Sequence, residues 1–196
     1  MNTTPQQLIK LIPILAQSGQ PMLITGRPGI GKSDIVEQSA IGVNLITMYP
    51  ALSDPTDFKG YPAIVNGEAV FITFGELKKL LTVDVPTWVF FDEIGQSAPS
   101  VQAALMPVVL ARTIGGEKIS PYVYFIAATN RKSDRSGVTG FLEALKSRFT
   151  IYNLEPTAAD WIAWAIQKQE VPVAFIGAVK NNPDLIERWE PSREIE

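Results

Sequence analysis

Gly26–Ser33 reads GRPGIGKS, three glycines and a proline in eight positions. Such a stretch breaks helices and strands alike. It lies between PMLIT (21–25), short and apolar like a strand, and a run from Lys32 to about Ile41 with helical spacing. It matches G-x-x-x-x-G-K-[S/T] in full, and a chance match in a chain of this length has odds of roughly one in a hundred. Glycines let successive backbone N–H groups turn inward into a concave anion site, and the following helix adds the positive end of its dipole. Gly26, Arg27, Pro28, Gly29, Ile30, Gly31, Lys32, Ser33 and Asp34 thus form a candidate phosphate cradle. Lys32 is placed to reach the β- and γ-phosphates of a nucleotide, and Ser33 to ligate Mg²⁺.

The apolar runs around this loop predict an α/β fold. The second strand is NLITMYP (44–50), and TWVFFDE (87–93) is a continuous apolar run that ends in two acids, as a buried parallel strand does. YVYFIAATN (122–130) ends in an amide, and TIYNL (150–154) is the last strand. Helices are predicted after Thr4-Pro5, around 76–81, over 98–112 despite Pro107, and in FLEALKSRF (141–149). AIV-NG-EAVFI (63–72) reads as a hairpin with a type I′ turn, and IGGEKIS (114–120) as a second turn. Residues 50–62 and RKSDRSGVTG (131–140) read as loops. From Pro156 the pattern turns helical, with Trp161, Trp164, Ala165 and Ile166 assigned to one face. Strand–helix alternation followed by helices predicts a parallel sheet with helices on both faces, then a small helical part.

Composition narrows the chemistry. The chain has no cysteine and no histidine, which excludes disulfides, Cys/His metal sites and His-dependent triads. Catalysis must then use carboxylates, Lys, Arg, hydroxyls, amides, backbone groups and borrowed metal ions. With 46% hydrophobic and 19% charged residues, the chain has material for a packed core. A net charge of −3 argues against a protein held mainly by nucleic-acid phosphates, although Arg131, Lys132 and Arg135 form a local basic group. The amino-terminal MNTTPQQLIK lacks the pattern of a signal peptide, and no apolar run reaches the roughly 20 residues that span a bilayer. The expectation is a soluble, cytoplasmic protein without membrane contact.

Three further sites stand out. Asp92 and Glu93 sit at the end of the 87–93 strand, where Asp92 would hold Mg²⁺ and Glu93 would polarise an attacking water; the plain alternative is a strand ending in solvated acids. Asn130 can orient that water, although taken alone an Asn in a turn is the commoner use. Arg148 in LKSRF can stabilise charge on a transferring phosphoryl group, in competition with Arg131 and Arg135; its plain alternative is a helix-end arginine serving the dipole.

These four sites in this order resemble the AAA+ ATPases, in detail the MoxR branch or a close relative in the dynein-related group. The stretches that carry the resemblance are ITGRPGIGKS, DPTDFKGYPA with AIVNGEAVF, FFDEIGQSAPSVQAAL, FIAATNRKSDRSGV and LEALKSRF, spanning about residues 7–185. The resemblance implies a P-loop NTPase three-layer αβα sandwich. In its terms Gly26–Ser33 is Walker A, Asp92 and Glu93 Walker B, Asn130 sensor 1 and Arg148 the arginine finger. It implies ATP and Mg²⁺, and a homo-oligomeric ring, usually a hexamer, with nucleotide between neighbours. It also implies a protein client, with a von Willebrand-type partner in some relatives and nucleic-acid processing in some cousins. Residues 1–155 would be the core, with a hairpin insertion at about 57–74, and 156–196 the start of a helical lid. The lid is expected to be incomplete, because Arg193 follows Pro-Ser rather than standing in the Pro-Arg pair that supplies sensor 2. Phe58, Lys59 and Tyr61 fall where relatives carry a substrate-facing insertion; an ordinary hairpin packed on its own domain is the equal alternative. The function to be tested is ATP hydrolysis that remodels a protein partner. Its rivals are a nucleotide-gated scaffold with little turnover, a nucleic-acid motor, and a small-molecule kinase, for which no arginine-rich lid is evident.

Overall fold

The computed structural model describes residues 1–131 and 140–187; Lys132, Arg135 and Arg193 lie outside them. The first residues form a short strand, β1 (Asn2–Thr3), followed by α1 (Pro5–Ser18). Thr4 caps this helix reciprocally: the Gln7 N–H donates to Thr4 Oγ1 and the Thr4 N–H to Gln7 Oε1. The helix stops at Gly19, in the left-handed region at φ 72°. β2 (Met22–Gly26), the glycine loop, α2 (Lys32–Ser39) and β3 (Asn44–Met48) come next.

The stretch 50–62, expected as loop, contains a 3₁₀ turn at Pro50–Leu52 and the one-turn helix α3 (Thr56–Lys59). The reason is Phe58, which is buried edge-on against Phe91, with ring centroids 6.2 Å apart. Phe58 is therefore a core anchor rather than an exposed gripping aromatic. β4 (Tyr61–Val65) and β5 (Glu68–Ile72) form the expected hairpin, with Asn66 and Gly67 at φ 53° and 83° as a type I′ turn requires.

α4 (Gly75–Thr82) leads into β6 (Thr87–Phe91) and then α5 (Pro99–Met106). The expected helix over 98–112 changes character at Pro107, where residues Pro107–Ala111 wind as a π-turn. Proline has no N–H to donate and its ring crowds the preceding turn, so the hydrogen-bond ladder is forced out of α register. β7 (Thr113–Ile114) and β8 (Glu117–Lys118) make a second small hairpin, and β9 (Val123–Asn130) follows. After α6 (Glu143–Lys146) and β10 (Thr150–Leu154), the chain finishes in α7 (Ala158–Lys168), α8 (Val173–Asn181) and α9 (Asp184–Glu187).

The main sheet has the order β1-β10-β2-β9-β6-β3, and every pair in it is parallel. Strand residues alternate between two cores. Leu23, Val89, Phe91, Phe125 and Ala127 join the α4–α5 side, whereas Met22, Ile24, Trp88, Phe90, Ile126 and Ala128 pack towards α1 and α2. The sheet is thus buried on both faces, and the expected three-layer αβα sandwich is present. In α7 the expected single face is not observed. Ala158 and Ala165 form the buried seam, Trp164 and Ile166 are exposed, and Trp161 stacks obliquely on Trp164. Consecutive helical residues are turned about 100° apart, so 164, 165 and 166 cannot share one stripe.

Candidate nucleotide site

β2, β6 and β9 deliver the loop, Asp92 and Asn130 to one edge, the carboxyl ends of parallel strands, where open α/β sheets bind ligands. Gly26 is level with Asn130 in the register. A Cβ on Gly26 would come within 2.5 Å of the movable Ile30 Cδ1 and 3.1 Å of the Leu154 carbonyl, so the strand-to-loop corner is tight against the backbone of its neighbour. Gly29 and Gly31 take φ of 72° and 82°, the left-handed conformation that turns loop amides inward.

Lys32 is buried to 8% exposure, and its ammonium donates to Asn130 Oδ1 at 2.7 Å, Arg27 O at 2.9 Å and Gly26 O at 3.4 Å. The Ser33 hydroxyl donates to Asp92 Oδ2 at 2.7 Å. Asp92 Oδ1 accepts the Glu93 N–H at 3.0 Å, and the Asp92 N–H donates to Met48 O. One cation and one hydroxyl–carboxylate pair thus meet beside a loop of inward amides. Glu93 itself is exposed and held at φ 54°, a left-handed conformation that costs a non-glycine residue about 1–2 kcal/mol. Strain of this kind concentrates at functional sites. Arg27, Pro28 and Ile30 line the turn half-buried, and Asp34 is exposed in the first turn of α2.

The Mg²⁺ expected here fits its donors. Ser33 Oγ and Asp92 Oδ2 are hard oxygens already adjacent, and Mg²⁺ takes one or two protein oxygens while keeping waters and phosphate oxygens.

The arginines separate. Arg131 is ion-paired to Glu155 at 3.3 Å, and Glu155 also accepts from Asn2 and Asn153. Glu155 carried no local signal; it is 24 residues from Arg131 and reaches it only through the parallel pairing of strands. Arg148 is exposed, with no side-chain hydrogen bond or ion pair among the described residues. It lies two residues before β10, whose first residue Thr150 is level with Met22. The glycine loop begins at the other end of β2, roughly 13 Å further along the strand. Within one chain Arg148 and the loop therefore stand at opposite ends of the sheet. Arg135 lies outside the described residues.

A parallel αβα sandwich with this loop, lysine, hydroxyl and strand-end carboxylate defines a P-loop nucleotide-binding domain. Residues 21–149, well over half of the chain, match the family described as AAA domain (dynein-related subfamily). The chain belongs to that subfamily of the AAA+ ATPases. Curated proteins gave no match by sequence. Among solved structures, a variant of the Thermotoga maritima RuvB protein superimposes with a TM-score of 0.56 at 21% identity, covering 85% of this chain and 51% of that one. Another structure of that protein is described as a Holliday junction branch migration motor. A candidate ATPase of Cytophaga hutchinsonii gives 0.52 at 21% identity, covering 76% and 45%, and NtrX of Brucella abortus 0.53 at 16%, covering 96% and 51%. At these identities the likeness is one of fold. The chain spans about half the length of each.

Proposed function

We propose that this domain binds ATP with Mg²⁺ and hydrolyses it within a ring of like subunits, using the cycle to remodel a protein partner. The observation that carries the reading is the contact set Lys32–Asn130 and Ser33–Asp92 beside the strained, exposed Glu93. The loop amides and Lys32 bind the phosphates. Ser33 and Asp92 would hold Mg²⁺, which when bound supplies charge neutralisation at the β- and γ-phosphates. Glu93 accepts a proton from the attacking water and Asn130 orients that water. Arg148 lies too far from its own loop to help it, so its role is assigned to the site of a neighbouring subunit.

Residues 156–196 are read as the start of a helical lid. The β4–β5 hairpin supports a protein client: Tyr61, Ile64 and Phe71 are all more than half exposed on it. A MoxR-type role and a von Willebrand-type partner rest on the motif resemblance alone. A nucleic-acid motor is the second reading, favoured by the likeness to RuvB and opposed by the net charge of −3. Among the described residues no helix is long and apolar enough to cross a membrane.

Phosphate release by the assembled protein is the test. Glu93→Gln should keep ATP binding and reduce release at least about a hundredfold. Unchanged release would remove the mechanism, and tight ATP binding without release by the parent chain would favour the scaffold.

A further inference from the structure

At the amino end of the main sheet, remote from the nucleotide loop, a hollow of about 580 Å³ opens between α4, the π-turn and β8. Its walls include Leu81, Val83, Ile119 and Pro121, and the charged residues lining it are Arg112 and Lys118. Among the described residues no carboxylate lines it; Asp84 and Glu117 are sequence neighbours of the wall and exposed, but stand outside it.

Arg112 is set unusually. It ends the π-turn at φ 52° and lies half-buried, with its guanidinium carbon 5.5 Å from the Phe125 ring centroid. Its Nη2 donates to Ser120 O and Val123 O, both at 2.8 Å. Nε and Nη1 have no partner among the described residues. Burial pushes the guanidinium below its ordinary range, opposed by Tyr124, and Arg112 has no ion pair among the described residues. Lys118 is exposed, also without an ion pair among the described residues. A rigid fork with spare N–H groups, partly withdrawn from water, matches a carboxylate. The apolar walls call for that carboxylate to arrive on an apolar carrier.

We propose that this hollow docks a carboxylate borne on an apolar peptide segment of a protein partner, with Arg112 and Lys118 as its anion contacts. The site is independent of nucleotide chemistry: Arg112 holds Val123 at the first residue of β9, while Asn130 closes the other end of that strand, roughly 23 Å away. It has a physical link to the larger hairpin. A Cβ on Gly115, between β7 and β8, would lie 3.0 Å from Phe71 O, so the two hairpins are in backbone contact.

The test is an NMR titration of the full chain at low salt, following the Arg112 Nε–H and the amides of residues 118–121. Acetyl-Leu-Glu-Leu-amide presents a side-chain carboxylate and acetyl-Leu-Leu a terminal one; acetyl-Leu-Gln-Leu-amide and inorganic phosphate are the controls. The acidic peptides should give saturable shifts, with the Gln peptide binding about tenfold more weakly. The tighter of the two acidic peptides identifies the source of the carboxylate. Lys118→Glu, an exposed change, should weaken the acidic peptides at least about threefold while leaving ATP binding as in the parent. Absent shifts, equal binding of the Gln peptide, phosphate binding as tightly as the peptides, or an unaltered Lys118→Glu would each overturn the proposal.

Discussion

Lys32 is the residue whose surroundings most constrain the site. Its ammonium is buried and held by three oxygens, one of them the Asn130 side chain at 2.7 Å. A phosphate that takes the lysine must draw it from that amide. Asn130→Ala removes the competitor, so ADP should bind more tightly, by about tenfold, the lower end of the scale for one hydrogen bond to a charged group. Phosphate release from ATP should fall in the same variant. Calorimetry that found weaker ADP binding would refute the competition. Glu93 makes a second case, because φ 54° is a conformation glycine adopts freely. Glu93→Gly should melt higher than Glu93→Ala, by about 1 kcal/mol in stability, while both lose hydrolysis. Equal melting points would mean that the backbone at 93 stores no strain.

At the scale of elements, the β4–β5 hairpin depends on how its base is closed. Gly60, at φ 89°, enters β4 with its missing Cβ only 2.7 Å from Ile72 O, whereas Gly67 at the turn faces open space. Gly60→Ala should therefore destabilise by about 1–3 kcal/mol through the clash added to the left-handed cost. Gly67→Ala should lose only about 1 kcal/mol from the left-handed conformation. Denaturant titration separates the two, and equal losses would count against the close approach. Gln102 performs a similar closure: fully buried, its Nε2 donates to Ser97 O and Gly140 O, and its Oε1 accepts the Leu142 N–H. This strap sets where α6 begins, and hence where Arg148 emerges. The apolar character of VQAALM marks 102 as interior; beyond the nearby Ser97, two of the partners of its amide lie 38 and 40 residues away along the chain and leave no local trace.

For the molecule as a whole, the decisive fact is the separation of Arg148 from its own glycine loop by the length of a strand. If each site joins Lys32 and Glu93 of one subunit to Arg148 of the next, Arg148→Ala alone should lower phosphate release by about 10³-fold. Mixing it with Glu93→Gln should recover part of the parent rate, because some interfaces then pair an intact Glu93 with an intact Arg148. Light scattering with and without ATP–Mg²⁺ establishes assembly in the same samples. An additive, unrecovered mixture of assembled protein would rule out action of Arg148 on the site of a neighbouring subunit.

Much of this was determined by the sequence alone. Gly29 and Gly31 permit the φ values of the anion cradle, Asn66-Gly67 specifies its turn, and the apolar runs 87–91 and 123–130 can be satisfied only by burial on both faces of a sheet. These are local or periodic signals, readable because backbone sterics and water exclusion act over a few residues. Tertiary structure alone decided the rest. It gave Phe58 a core partner, paired β1 with β10, joined Arg131 to Glu155, and set Arg112 at a hollow with no ion-pair partner among the described residues. Each of these depends on residues brought together by strand order and register. Parallel crossovers create such contacts between distant segments, and no short window of sequence contains both sides of them.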